Sequence, residues 1–131
     1  MKKINYALII STVLLLASGC TLRYTPDIYN VNKAPVVTKT HQATLTQVGK
    51  AITSAGVGLG WSMQEVRPGY IVATLNLRAH QAKVGITYTT QTYNINYISS
   101  NNLMRNGEIH QNYNSWVQNL NTAIKHQLEI I

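Results

Sequence analysis

Phenylalanine is absent from the 131-residue chain, cysteine occurs once, and aspartate and glutamate together number four. Each shortage closes off a class of protein. A single cysteine, Cys20, cannot form an intrachain disulfide, so a folded domain here must be held by its core alone. Without phenylalanine that core must come from isoleucine, leucine, valine, tyrosine and the two tryptophans. The acids Asp27, Glu65, Glu108 and Glu129 are widely spaced and form no evident carboxylate pair of the kind glycoside hydrolysis uses. The Gly-x-Ser-x-Gly turn that exposes a nucleophilic serine does not occur. A Ser-His pair assembled in space stays open, because such sites are defined by geometry rather than by sequence. Long apolar runs are missing too. The run Tyr6–Ala17 covers about a dozen residues, well short of the roughly 20 that span a bilayer.

That short run has a function of its own. Lys2 and Lys3 precede it and Ala17-Ser18-Gly19 follows it, which is the pattern of a cleaved secretory signal peptide over residues 1–19. Leu16-Ala17-Ser18-Gly19-Cys20 resembles the lipobox of bacterial lipoproteins, with Ala17 where leucine is usual. The resemblance implies that the Cys20 sulfur carries a diacylglycerol and that the palmitate-type acylated cysteine begins the mature chain. Two or three acyl chains hold a protein firmly where one does not. Thr21, rather than aspartate, follows the cysteine, which implies sorting to the outer membrane with the domain facing the periplasm or exposed at the surface. Lipidation withdraws Cys20 from redox, metal and nucleophile roles.

Without residues 1–19 the nine lysines and arginines exceed the four acids by five. The cations are scattered, so nucleic acid is not an expected partner. The weak positive charge suits anionic envelope components, lipid or protein or peptidoglycan.

Residues 20–40 follow no sustained period, and Pro26 and Pro35 interrupt them, so the expected domain order is lipidated tether 20–40 and a single domain 41–131. Leu45, Val48, Ile52 and Ala55 predict a helix over 41–55, with Thr40 or Thr44 as cap and Gly56 as its stop. The period then becomes two for about forty residues. Trp61 and Met63, Ile71 to Leu77, Ala82 to Tyr88 and Tyr93 to Tyr97 predict four strands joined by tight turns, with one apolar face. After a loop at Ser99–Gly107, the stripe Ile109, Tyr113, Trp116, Val117, Leu120, Ala123, Ile124, Leu128 and Ile131 predicts a final helix. The fold class is therefore α+β: a two-layer sandwich of a four-stranded antiparallel meander with two helices on one face. A meander of this kind leaves its first and fourth strands as open edges.

Gly60-Trp61, Pro68-Gly69, Arg78-x-His80-x-Ala82-x-Val84, Tyr93-x-Ile95-x-Tyr97, Asn102-Leu103 and Ile109-His110-x-x-Tyr113-Asn114-x-Trp116-Val117, spread over about residues 45–125, together resemble a family of small uncharacterised bacterial lipoproteins. The resemblance implies the anchor and the small α/β domain, and it carries no activity.

The meander places His80, the Ser99–Leu103 loop and the start of the last helix at one end. Arg78, His80, Asn101, Asn102, His110 and Asn114 form a candidate recognition patch there, while the same side chains are suited to tying loop backbone and capping the helix. A zinc site needs three or four His, Cys, Asp or Glu ligands, and Glu108 is the acid near His80 and His110 in sequence, so no metal or cofactor is expected. With the tether entering at the opposite end, the patch would face away from the membrane. The open sheet face, with Tyr70, Thr74, Asn76, Arg78, Lys83, Thr87, Asn94 and Asn96, is a second candidate surface. The expected role is a non-enzymatic binding or assembly accessory of the envelope. A structural, peptidoglycan-proximal component and a small enzyme or metal protein using His80 and His110 are the alternatives.

Overall fold

The structure, a computed structural model, describes residues 23–131; the leader and Cys20 lie outside the described residues. Four strands run in the order the alternation predicts: β3 (Ser62–Arg67), β4 (Tyr70–Leu77), β5 (His80–Tyr88) and β6 (Thr92–Asn101), with β1 (Tyr24–Thr25) and β2 (Val31–Pro35) preceding them in the chain. Each pairs antiparallel with the next. Their turns use suitable residues. Gly69 has φ 87°, and Thr89 Oγ1 accepts from the backbone N–H groups of Gln91 and Thr92, each at 3.1 Å. The register puts Ile71 opposite Ile86, Ala73 opposite Val84 and Ile86 opposite Ile95, and all of these are buried. That face is covered by α1 (Leu45–Gly58) and α2 (Gln111–Glu129), which bury Val48, Ile52, Val117, Leu120, Ile124 and Leu128.

The sheet is larger than a four-stranded meander, and the tether is the reason. β2 (Val31–Pro35) lies antiparallel on the far side of β6, giving the order β2-β6-β5-β4-β3. Val31 and Ala34 are buried there. Two prolines and a broken period hid this strand. Pro35 sits at a sheet edge, where no ladder donor is needed. Between Val31 and Ala34 the register shifts, Lys33 takes φ 50°, and its N–H donates to Asn94 Oδ1 at 2.8 Å. Residues 31–35 are therefore sheet and not tether, and β6, the fourth strand of the expected meander, is not an edge.

A second sheet, ordered β1-β8-β7, joins β1 (Tyr24–Thr25) to the hairpin of β7 (Met104–Arg105) and β8 (Glu108–His110). The expected loop over this stretch is thus a hairpin. Its turn is Asn106-Gly107, with φ 51° and 79°, the two left-handed residues of a tight hairpin turn.

The ends of the first helix also differ from expectation. Thr44 is the cap: its side chain accepts from Gln47 N while Gln47 Oε1 accepts from Thr44 N at 2.8 Å. Gly56 does not end the helix. Gly60 N donates to Val57 O at 3.0 Å and Trp61 N to Gly56 O at 2.9 Å, with Gly60 at φ 87°, so the left-handed stop falls four residues later. Gly56 is instead a close-packing point, since a Cβ there would meet the Met63 side chain. Of the two tryptophans, Trp61 is buried, while Trp116 is only half-buried against the core.

The chain enters at the end opposite to the one expected. Gln111 N donates to Arg23 O at 2.7 Å, and Tyr24 pairs with His110. At the other end, Val36 N donates to Gln91 O at 2.8 Å and Lys39 N to Ile131 O at 2.7 Å. Residues 24–35 therefore run from the His110 end to the Gln91 end before the first helix begins. Among the described residues, no helix is long and apolar enough to cross a membrane.

Two glycines separated by Leu59 should respond oppositely to alanine. Gly58→Ala, in helical backbone with open space around it, should stabilise by up to about 1 kcal/mol, and Gly60→Ala, at positive φ, should destabilise by about 1–2 kcal/mol. Urea unfolding of both variants measures this. Starting the chain at residue 41 removes Val31 and Ala34 from the core and should cost about 3 kcal/mol or more. An unchanged unfolding midpoint would return residues 23–40 to the status of a tether.

Candidate functional site

Arg78, His80, Asn101, Asn102, His110 and Asn114 do gather at one end, in two groups with different partners. The first group closes the β4–β5 turn onto the loop after β6. His80 Nδ1 lies 3.0 Å from the carbonyl oxygen of Asn102, which can only accept, so the ring donates from Nδ1. Asn102, at φ 56°, donates from Nδ2 to Ala79 O. Arg78 stands in the turn itself at φ 56°, with its side chain exposed. Asn101 is exposed at the end of β6, opposite Gln81.

The second group ties the N-terminal segment to α2. His110 is the N-cap, and its Nδ1 accepts from Asn112 N at 3.0 Å. The neutral ring that accepts there carries its proton on Nε2. Asn114 bridges two backbone groups of the entering chain, accepting from Tyr29 N and donating to Asp27 O, each at 2.9 Å. The Tyr24 ring meets His110 edge-on at 5.0 Å. His110 N donates to Leu103 O at 2.7 Å, which connects the two groups through the backbone. Both histidines and two of the asparagines thus hold backbone together, the loop-tying and capping role for which these residue types are suited.

What the end presents to solvent is shallow. Arg23, His110, Gln111 and Asn112 line an open depression of about 390 Å³. A second, of about 200 Å³, lies between Arg23, Tyr24, Arg105, Asn106 and Glu108. Small-molecule sites are usually enclosed and mostly apolar. A larger open depression, of about 470 Å³, lies at the opposite end between the Val36–Ala43 segment and Thr90-Gln91. Among the described residues, no group of three or more His, Cys, Asp or Glu side chains is placed to hold a metal ion.

Arg23, Tyr24 and Arg105 were missed as members of this end. The Asn106-Gly107 dipeptide was the signal that could have placed Arg105 on a hairpin. Nothing in the sequence of residues 23–25 announces a two-residue strand.

The open sheet face differs in one place from a plain polar surface. Gly85 is roofed by the Tyr70 ring and Ile98, either of which a Cβ at Gly85 would approach within about 3.3 Å. The Arg67 guanidinium lies 4.8 Å from the centre of the Tyr70 ring. Ile98 shares this face with Asn94 and Asn96 by alternation along β6, next to the register shift between Lys83 and Val84. Comparison with known proteins finds no matching family model, no matching curated protein and no matching solved structure.

Two buried phenols lie in the core, Tyr113 near this end and Tyr93 near the Gln91 end. Tyr93 Oη donates to Asn121 Oδ1 at 2.5 Å, joining β6 to α2. Tyr113 Oη is buried without a partner, its ring edge-on to Tyr97 at 5.4 Å. Burial pushes the Tyr93 phenol up to about 12, with Tyr29 adding to the shift; burial and then Tyr97 raise Tyr113 further. Tyr93→Phe should cost about 1–3 kcal/mol by stranding Asn121, whereas Tyr113→Phe, which strands nothing, should cost none. Because the folded state holds both phenolic protons more tightly than the unfolded chain, stability is complete below about pH 10 and is lost as pH rises toward about 12. Melting temperatures measured across that range should fall, and fall less steeply in Tyr113→Phe.

Proposed function

We propose that the protein is an outer-membrane lipoprotein whose periplasmic domain works as a non-enzymatic binding or assembly accessory of the cell envelope. The run Leu16-Ala17-Ser18-Gly19-Cys20 behind a short apolar leader carries this reading. Cys20 supplies the lipid attachment point, and Thr21 after it favours the outer membrane. A contact role is supported by the surroundings of the two histidines: Nδ1 of each ties backbone, at Asn102 O and Asn112 N, and the depression lined by His110 is open. What remains free at the surface is open and polar, the kind of area that meets another macromolecule or an envelope polymer.

The test has two parts. Cys20→Ser should abolish labelling by radioactive palmitate and leave uncleaved precursor; normal processing of that variant would remove the anchor from the reading. In-cell photocrosslinking from the Tyr70/Ile98 face and from the Gln91 end should give a defined adduct at one of them. Adducts at neither would favour a structural envelope component.

A further inference from the structure

Arg23, the first described residue, is fastened to the start of α2 through the bond from Gln111 N, and Cys20 lies only three residues before it. Resting on the lipoprotein reading above, we propose that this end of the domain sits directly on the anchoring bilayer, with the turns carrying Leu77-Arg78 and Met104-Arg105 in its headgroup layer. Three residues span at most about 10–11 Å even when fully extended. The headgroup region of one leaflet is roughly 5–8 Å deep. Arg23 therefore lies in or just above the headgroups, and the domain is held to the membrane by a stub instead of a long tether. The opposite end is a nine-residue strand away, about 30 Å at the usual rise.

The surface that this geometry presses on the bilayer has suitable chemistry. Two turns lie on it, and each pairs an exposed apolar residue with an arginine. Leu77 is 46 % exposed beside Arg78, and Met104 is 44 % exposed beside Arg105. An apolar side chain flanked by a guanidinium suits the boundary between acyl chains and phosphates. The two turns are locked relative to each other. His80 holds the first to Asn102, and Leu103 O holds the second through His110 N. Asp27 and Glu108 share this end, so net charge alone does not select it. The length of chain between Cys20 and Arg23 does. The occupant is thus the lipid surface to which Cys20 is joined, its anionic headgroups facing Arg23, Arg78 and Arg105.

The acylated protein, reconstituted into vesicles of phosphatidylethanolamine and phosphatidylglycerol, provides the test. A bimane label on Met104→Cys reports one end and a label on Val66→Cys the other. Both residues are exposed, so neither change opens the core. Spin-labelled lipid should quench Met104→Cys several-fold more than Val66→Cys. Equal quenching, or stronger quenching at Val66→Cys, overturns the proposal. Adding Arg78→Glu and Arg105→Glu should lower the quenching at Met104→Cys; no change would remove the arginines from the contact. The mass of the tryptic peptide 20–23 separates the two readings. An unmodified Cys20 overturns the anchor itself, whereas a diacylated Cys20 with an unquenched Met104→Cys overturns only the placement of the domain.

Discussion

Double-sided pairing of β6 is the constraint on which the rest of the structure depends. Its one edge takes β5 and its other takes β2, so no part of its ladder faces water over Thr92–Ile95. Its side chains extend the same bracing in the third dimension. Tyr93 reaches through the core to Asn121 on α2, and Asn94 holds the bulge in β2 at Lys33. Tyr97 N donates to Asn30 Oδ1 at 2.9 Å, fixing the chain just before β2 begins. A polar bond inside an apolar core is costly to break one-sidedly. The Tyr93–Asn121 bond therefore sets where α2 sits along the sheet, and with it the position of the helix start that His110 caps.

Much of this was legible in the sequence, and the failures share a cause. Alternation over residues 61–97 and the stripe over 113–128 report burial on one face, which is what strands under helices require. The four strands and both helices follow from it. β2 has no such signal, because a bulged edge strand of five residues buries only Val31 and Ala34. The reading of Gly56 as a helix stop failed because small residues serve two ends, left-handed backbone and close approach, and only Met63 in space distinguishes them. Trp116 fits the helical period yet lies at the margin of the covered face, beside Leu59 and Asn119. The side chains of the candidate patch were assigned to the correct end, since hairpin counting alternates ends reliably. The entry point of the chain was not, because it hinges on strands that the pattern did not show.

The same misplacement changes what the patch means. On a free tether, the His80/His110 end would have been the surface turned away from the point of attachment. With Arg23 fastened beside Gln111, that end is where the chain arrives, and its histidines and asparagines act as fasteners for the arriving segment. Surfaces available to another molecule are then the Tyr70/Ile98 face and the depression between Val36–Ala43 and Gln91.

The pairing of Tyr24 with His110 also dictates a sequence of events in time. The first of the described strands to leave the ribosome is completed by residues that follow it by 86 positions in the chain, and β2 waits for Ile95 in the same way. Contacts so distant in sequence form late, after the local hairpins. Until then Tyr24-Thr25 and Val31–Pro35 are unpaired. Completion of the fold then draws Tyr24-Thr25 and Val31–Pro35 into their sheets, so the N-terminal segment is the last part of the chain that the topology secures.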